Sequence, residues 1–379
     1  MNKKLYTALI HAVPAHAVAL SRWTGFLPGD AMERALLSVL RARRARGGAI
    51  ALWRGDGQLT VSAFGRARLA ADVPAAPDTC FRVASISKFV TAAGILLLSR
   101  KGLLPLDADV GELLAYPVRA GGFDDVPITV RMLLSHTSSV RDSEAYLKAI
   151  ESPTPLEALL RADVYTGARP GTAFEYTNLG FGMLAAVAER ACGAPFDLLM
   201  RDSLFGPAGV SASYWPQRAQ GTLADAWRLM PPARRPNYDA AKRQARPIPE
   251  PEMDPARDYL SAHGSLCVTA GDLVRIAQYI LSDRALFDQM SAPVVPFGRR
   301  DPTLSQGLGC FIYRDPALPW PLYGHQGLAY GAVHGLFFRD GPVGSTDIRG
   351  FALLTSAVSE QREGVIARIN RDVARVVFG

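Results

Sequence analysis

The chain has 379 residues, 49% hydrophobic and 20% charged, with 42 Lys+Arg against 35 Asp+Glu and a formal net charge of +7. A chain this apolar buries a large core, which excludes a disordered tail, a fibre and a disulfide-dense mini-protein. The cations are mostly arginine and form no block of like charge, so the surplus describes an arginine-rich chain and not a nucleic-acid-binding arm.

In chain order, residues 1–27 read as an N-terminal extension or a weak signal-like segment. Lys3 and Lys4 precede an apolar stretch, and Ala15-His16-Ala17 resembles a small-residue cleavage site, but His11 and Pro14 interrupt the pattern. Localisation therefore stays open, with the cytoplasm slightly favoured over export. Over 30–46, Met32, Ala35, Leu36, Val39 and Leu40 fall at helical steps, with Gly47 and Gly48 read as the close of that helix. Two strand-like runs, 49–53 and 58–64, flank the hairpin signal Gly55-Asp56-Gly57. A third run, 80–84, leads into Ser85 and an apolar helical segment ending near Lys101-Gly102. Its apolar stretch is about half a bilayer span, hence a core helix and no membrane span.

Residues from about 103 to 300 carry helical patterns, clearest at 179–191 and 272–281. Between these, the segment 231–255 holds seven prolines and reads as an irregular surface loop with Arg234, Arg235, Lys242 and Arg243 available to acidic substrates. Strand signatures return at 307–313, 331–338 and 350–356, and a helical pattern over 360–377 ends the chain. The expected fold is α/β: an antiparallel sheet with flanking terminal helices plus a mostly helical inserted region. The sheet part covers about 28–84 and 300–379, the helical part about 85–299, and a C-terminal helix within 359–379 packs on the sheet. Cys80, Cys192, Cys267 and Cys310 lack metal-ligand spacing and read as buried small hydrophobes.

No GxSxG elbow, HExxH helix, Walker A loop or complete GxGxxG is present. The chemical candidate is Ser85-Ile86-Ser87-Lys88, whose first and last side chains lie one helical turn apart, so that an amine can take the serine's proton. A helix start supplies free N–H groups and a favourable dipole for developing negative charge. A desolvated lysine is a competent base. The spacing alone equally describes an N-cap serine beside a surface lysine.

The wider sequence is similar to the serine β-lactamase-like superfamily, in the branch of class C β-lactamases, D-alanyl-D-alanine carboxypeptidases and esterases. The stretches that carry the resemblance are Thr79-Cys80-Phe81-Arg82-Val83-Ala84-Ser85-Ile86-Ser87-Lys88, then Ile128-Thr129-Val130-Arg131-Met132-Leu133-Leu134-Ser135-His136-Thr137-Ser138-Ser139, then Pro170-Gly171 with Phe174-Glu175-Tyr176-Thr177-Asn178-Leu179-Gly180. Leu204-Phe205-Gly206-Pro207-Ala208-Gly209, Gly264-Ser265-Leu266-Cys267 and Tyr323-Gly324-His325-Gln326-Gly327 follow in the expected order. The resemblance implies that Ser85 is the acylated nucleophile, Lys88 its general base, Tyr176 a partner in proton transfer and Asn178 a ligand of Lys88 and substrate. It also implies an oxyanion hole from the backbone N–H groups of Ser85 and Leu328, the latter on an edge strand, with Gln326, Gly327 and Tyr330 contacting substrate.

His325 stands where β-lactamases carry a lysine; a histidine there is a proton-transfer group titrating near neutrality and disfavours β-lactam hydrolysis. Ser139 replaces a more usual glycine, and Leu328-Ala329-Tyr330-Gly331 a Gly/Pro-richer turn, so Tyr330 is either an aromatic wall or a packing residue. His136 reads as architectural, and His263 and His334 carry no signal. The implied activity is hydrolysis of amides or esters through a serine ester, on a small-molecule or peptide substrate, without metal or organic cofactor. The alternative is a non-hydrolytic penicillin-binding or ligand-sensing protein that keeps the fold.

Overall fold

The computed structural model describes residues 3–15, 17–248, 252–254 and 257–379. His16, within the cleavage-like tripeptide, and 249–251, 255 and 256, within the proline-rich segment, lie outside the described residues. A nine-stranded antiparallel sheet runs through the molecule. Its central strands are β1 (Gly47–Arg54), β2 (Leu59–Arg68) and, from the other end of the chain, β6 (Leu322–Ala329), β7 (Ala332–Phe338) and β8 (Ile348–Ala357). The spatial order is Val73–Pro74, β2, β1, β8, β7, β6, then β5 (Phe311–Tyr313), Leu304–Gln306 and Val295–Pro296.

Both faces of the sheet are covered, which is why its strands are nearly continuous apolar runs. Ala49, Ala51 and Trp53 of β1 join one core with the helical region, while Ile50 and Leu52 join another beneath α2 (Asp30–Ala42) and α6 (Arg368–Phe378). Leu36 and Leu40 of α2 and Ile369 and Val373 of α6 close that second core. The first core holds α3 (Ile86–Arg100), α4 (Asn178–Cys192) and α5 (Ala270–Ser282). A separate ladder pairs β3 (Cys80–Arg82) with β4 (Cys267–Thr269) and so ties the start of α3 to the helical region. No helix among the described residues is long and apolar enough to cross a membrane.

Four expectations are corrected. Gly47 and Gly48 do not close α2 but open β1, where a Cβ would fall 1.9 Å from the Arg66 carbonyl oxygen and 2.1 Å from that of Leu354. The helical pattern of 360–377 yields a helix only from Arg368; before it, Arg362–Glu363 pairs with Ile366–Ala367 across Gly364 at φ 65°. The proline-rich segment is not wholly irregular: Ala240–Gln244 is a helix capped by Asp239, Tyr238 is buried, and the Ala240 N–H donates to Asp225 at 2.9 Å. Of the cysteines, three are buried, but Cys192 is only half-buried.

Candidate active site

Between sheet and helical region lies a cleft of ≈ 430 Å³, lined among others by Ser85, Tyr176, Asn178, His325 and Leu328. Ser85 arrives there through a tight turn from β3, with Ala84 at φ 48°. Ser85 occupies the N-cap of α3, yet its side chain makes no capping hydrogen bond. Lys88, one turn on, is fully buried. Both halves of the bland reading, a capping serine and a surface lysine, therefore fail.

The Lys88 Nζ lies 3.2 Å from Ser85 Oγ, 2.7 Å from Asn178 Oδ1 and 2.9 Å from the His263 carbonyl oxygen. Burial lowers its pKa to about 7, opposed by the charge of Asp142 and assisted by that of Arg82. The hydrogen-bond inventory then orients the neutral amine. Asn178 Nδ2 donates to Asp142 Oδ2 at 2.7 Å, which turns its Oδ1 toward Lys88. Oδ1 and the His263 carbonyl can only accept, so they take the two amine hydrogens, and the lone pair is left facing the Ser85 hydroxyl.

Asp142 is the residue that sequence reasoning missed. Its Oδ1 accepts from the N–H groups of Asn178 and Leu179 at 2.8 and 3.0 Å and from the Thr177 hydroxyl at 2.8 Å. The carboxylate thus meets the positive end of α4 while it holds Asn178. The His263 carbonyl was also invisible, because a backbone ligand leaves no mark in residue identity.

Tyr176 packs on the buried His136 ring, centroids 4.5 Å apart, and His136 Nδ1 accepts the Thr177 N–H at 3.2 Å. Lys88 Nζ is 5.0 Å from the Tyr176 ring centre. Burial pushes the Tyr176 phenol well above its ordinary range, opposed by a hydrogen bond with Ser85. It is a protonated phenol at neutral pH.

His325 departs from expectation. It is buried, stacked on Phe311 at 3.9 Å, and its Nδ1 lies 2.6 Å from the Gln326 carbonyl oxygen. A carbonyl only accepts, so Nδ1 carries the hydrogen and Nε2, unpartnered among the described residues, is a bare acceptor. Burial, assisted by the charge of Lys88, lowers its pKa to about 3, so it is neutral across the physiological range and does not titrate near 6.5.

Leu328 lies in an interior strand of the sheet, not an edge strand, but β5 ends opposite Gly324, and 325–329 keeps only β7 as a partner among the described residues. Ala329 and Ala332 close a two-residue turn in which Tyr330 and Gly331 both have positive φ, 59° and 95°, the type I′ pattern. Hydrogen-bonded and non-hydrogen-bonded pairs alternate from that closing pair, so Leu328, opposite Val333, turns its N–H away from β7 toward the cleft.

Gln326 is among the residues that line the cleft, but its side chain is buried and engaged: its Nε2 donates to the Val365 carbonyl at 2.7 Å and its Oε1 accepts from the Ala367 N–H at 2.9 Å. Gly327 is a close-approach glycine, where a Cβ would lie 2.1 Å from the Val83 carbonyl oxygen. Tyr330 does line the cleft, as does Phe174 of the Tyr176 stretch, and with them Phe297 and Phe311, which no motif announced.

A serine and a buried lysine sharing a cleft between an antiparallel sheet and a helical region define the serine β-lactamase-like class of fold. The chain matches the Beta-lactamase family over residues 30–374 and belongs to it. It is 28% identical to Penicillin-binding protein 4* of Bacillus subtilis (strain 168) across 183 residues, 46% of this chain and 39% of that one. It is 31% identical to a D-aminopeptidase of Cereibacter sphaeroides (strain ATCC 17029) across 190 residues, 48% of this chain and 35% of that one. The chain thus spans less than half the length of these curated relatives. In fold it is similar to the D-amino acid amidase of Ochrobactrum anthropi SV3, with a TM-score of 0.69 at 21% identity over 91% of this chain and 97% of that one.

Proposed function

We propose that the protein is a serine hydrolase that works through an acyl-enzyme on amide or ester substrates. The observation that supports this most is Lys88: buried, brought to about 7, and fixed by two acceptors so that its lone pair faces Ser85. In this reading Lys88 takes the Ser85 proton as Oγ bonds to the substrate carbonyl carbon. The Ser85 and Leu328 N–H groups hold the developing oxyanion, where two preorganised donors contribute several kcal/mol. Tyr176, a protonated phenol beside both Ser85 and Lys88, passes a proton to the departing nitrogen or oxygen as its bond to carbon breaks. Asn178 keeps Lys88 in place, and His325 offers a neutral acceptor to the same cleft. Water repeats the sequence in reverse to release the acid.

The relatives named for D-aminopeptidase and D-amino acid amidase activity put D-amino-acid amides in the first screen, beside 4-nitrophenyl esters, D-Ala-D-Ala peptides and nitrocefin. The deciding experiment is fluorophosphonate labelling with the modified peptide identified by mass spectrometry, followed by turnover assays. Label on Ser85 with turnover is the expected result. Absence of label on Ser85 overturns the assignment, and label without turnover of any substrate favours the non-hydrolytic penicillin-binding protein.

A further inference from the structure

Arg82 is a cation inside the cleft that the proposed reaction does not use. Its guanidinium lies 5.3 Å from the Tyr330 ring centre and 5.7 Å from that of Tyr238, two rings stacked 5.9 Å apart. Flat guanidinium on aromatic faces is oriented without consuming its N–H donors. Among the described residues Arg82 forms no salt bridge, and no carboxylate lines the cleft. Asp225, which shares a small neighbouring cavity with Arg82, accepts the Ala240 N–H instead. A half-buried arginine with free donors and no counter-charge is a site for an anion.

The strand β6 tells which end of a substrate that anion belongs to. Tyr176 faces its His325 end, the rings 6.3 Å apart, while Arg82 packs on Tyr330 at the other end. From His325 to Ala329 the strand runs four residues, on the order of 13 Å, before the Tyr330 turn, and Leu328 with its inward N–H lies between the two ends. A carbonyl carbon held at Leu328 has its leaving group toward Tyr176, which must protonate it, and its acyl chain toward Tyr330.

We propose that the substrate carries a carboxylate on its acyl half, bound by Arg82 on the Tyr238–Tyr330 platform. This rests on the hydrolase reading above and specifies the substrate class of the same site. An acyl half whose far end carries an ammonium, as in a 6-aminohexanoyl group, meets the guanidinium and is disfavoured.

The test compares three 4-nitrophenyl esters of matched length and one leaving group: the adipate monoester (anionic), the hexanoate (neutral) and the 6-aminohexanoate (cationic). The expected order of kcat/KM is anion, neutral, cation, with anion over neutral by about 10-fold or more, the scale of a charge-assisted hydrogen bond. Arg82→Gln should bring the anion-to-neutral ratio close to one. Any change that Arg82 exerts through Lys88 acts on all three esters and cancels in the ratio. Arg82→Lys, which keeps charge but not the planar fork, should give an intermediate ratio and serves as the second variant should the glutamine protein not fold. A wild-type ratio at or below one, or a ratio unmoved in both variants, overturns the proposal. If the hexanoate is turned over and Ser85 labels, that failure is of the charge preference alone. If none of the esters reacts and Ser85 does not label, the hydrolase reading falls, and this one with it.

Discussion

Two helix N-termini meet at the cleft, and they are treated in opposite ways. The start of α4 is saturated: Thr177 accepts the Gly180 N–H at 3.3 Å, and Asp142 takes those of Asn178 and Leu179. The start of α3 has no side-chain cap: the preceding turn supplies main-chain carbonyls to the N–H groups of Ile86, Ser87 and Lys88, and Ser85 sits at the cap position in helical conformation, φ −66° and ψ −8°, with its hydroxyl spent on no backbone donor. Both ends carry the same partial positive charge. One is neutralised by a carboxylate and becomes a fixed mount for Asn178. The other has no side chain on its N–H groups, those of Ile86, Ser87 and Lys88 being met by the carbonyls of Val83, Ala84 and Ser85, and in the proposed reaction the Ser85 hydroxyl is thereby left for substrate. Helix caps that stabilise and helix starts that react are thus alternatives, and this cleft holds one of each side by side.

The sharpest way to break this contrast is to open the saturated end. Asp142→Ala strips Asn178 of its anchor, and a misplaced ligand on Lys88 should lower kcat by about 100-fold, as displacements near 1 Å do, with a smaller change in KM. A change confined to KM would mean that Asp142 acts on the substrate pocket and not on Lys88.

A second change, Asp142→Asn, removes the charge and one of the two acceptor oxygens, and is read by the position of the pH limb and not by its height. In the wild type, kcat/KM should rise with pH through about 7 as Lys88 loses its proton. The Asp142 charge holds that pKa up, so its removal should move the limb to lower pH. A limb that stays in place would assign it to another group, and His325, already neutral there, is not that group.

The smallest effect compares the two caps directly. Thr177→Ala should lower stability by about 1 kcal/mol, the usual worth of a capping side chain, whereas Ser85→Ala removes no cap and should leave the melting temperature nearly unchanged. Equal losses in thermal denaturation would show that the Ser85 hydroxyl stabilises the fold after all.

Much of this was legible in the residues. The Ser85–Lys88 spacing, the helix following Thr177 and the strand pair around Asp56 are local patterns that local physics enforces. What stayed hidden acts across distance or through the main chain. Asp142 precedes its partner Asn178 by 36 positions and stands in no motif of its own. The His263 ligand is a carbonyl. Gln326 was expected at the substrate from the family resemblance, while its side chain is held by the Val365 carbonyl and the Ala367 N–H, main-chain partners that residue identity does not show. The proline-rich segment was read from its breakers, while its anchors, Tyr238 and Ala240, are single buried residues with no periodicity to reveal them.

The contact at Gly327 has a mechanical meaning. The strand that carries the Leu328 N–H and the turn that carries the Ser85 N–H touch main chain to main chain, with no side chain between them to yield or repack. The spacing of the two donors is thereby a fixed gauge, indifferent to the size or mobility of whatever surrounds it. The aromatic wall and the Tyr330 turn can be exchanged around that gauge like jaws on a vice. In the proposed reaction, new substrates would then be admitted by refitting the wall, while the two donors keep their calibration.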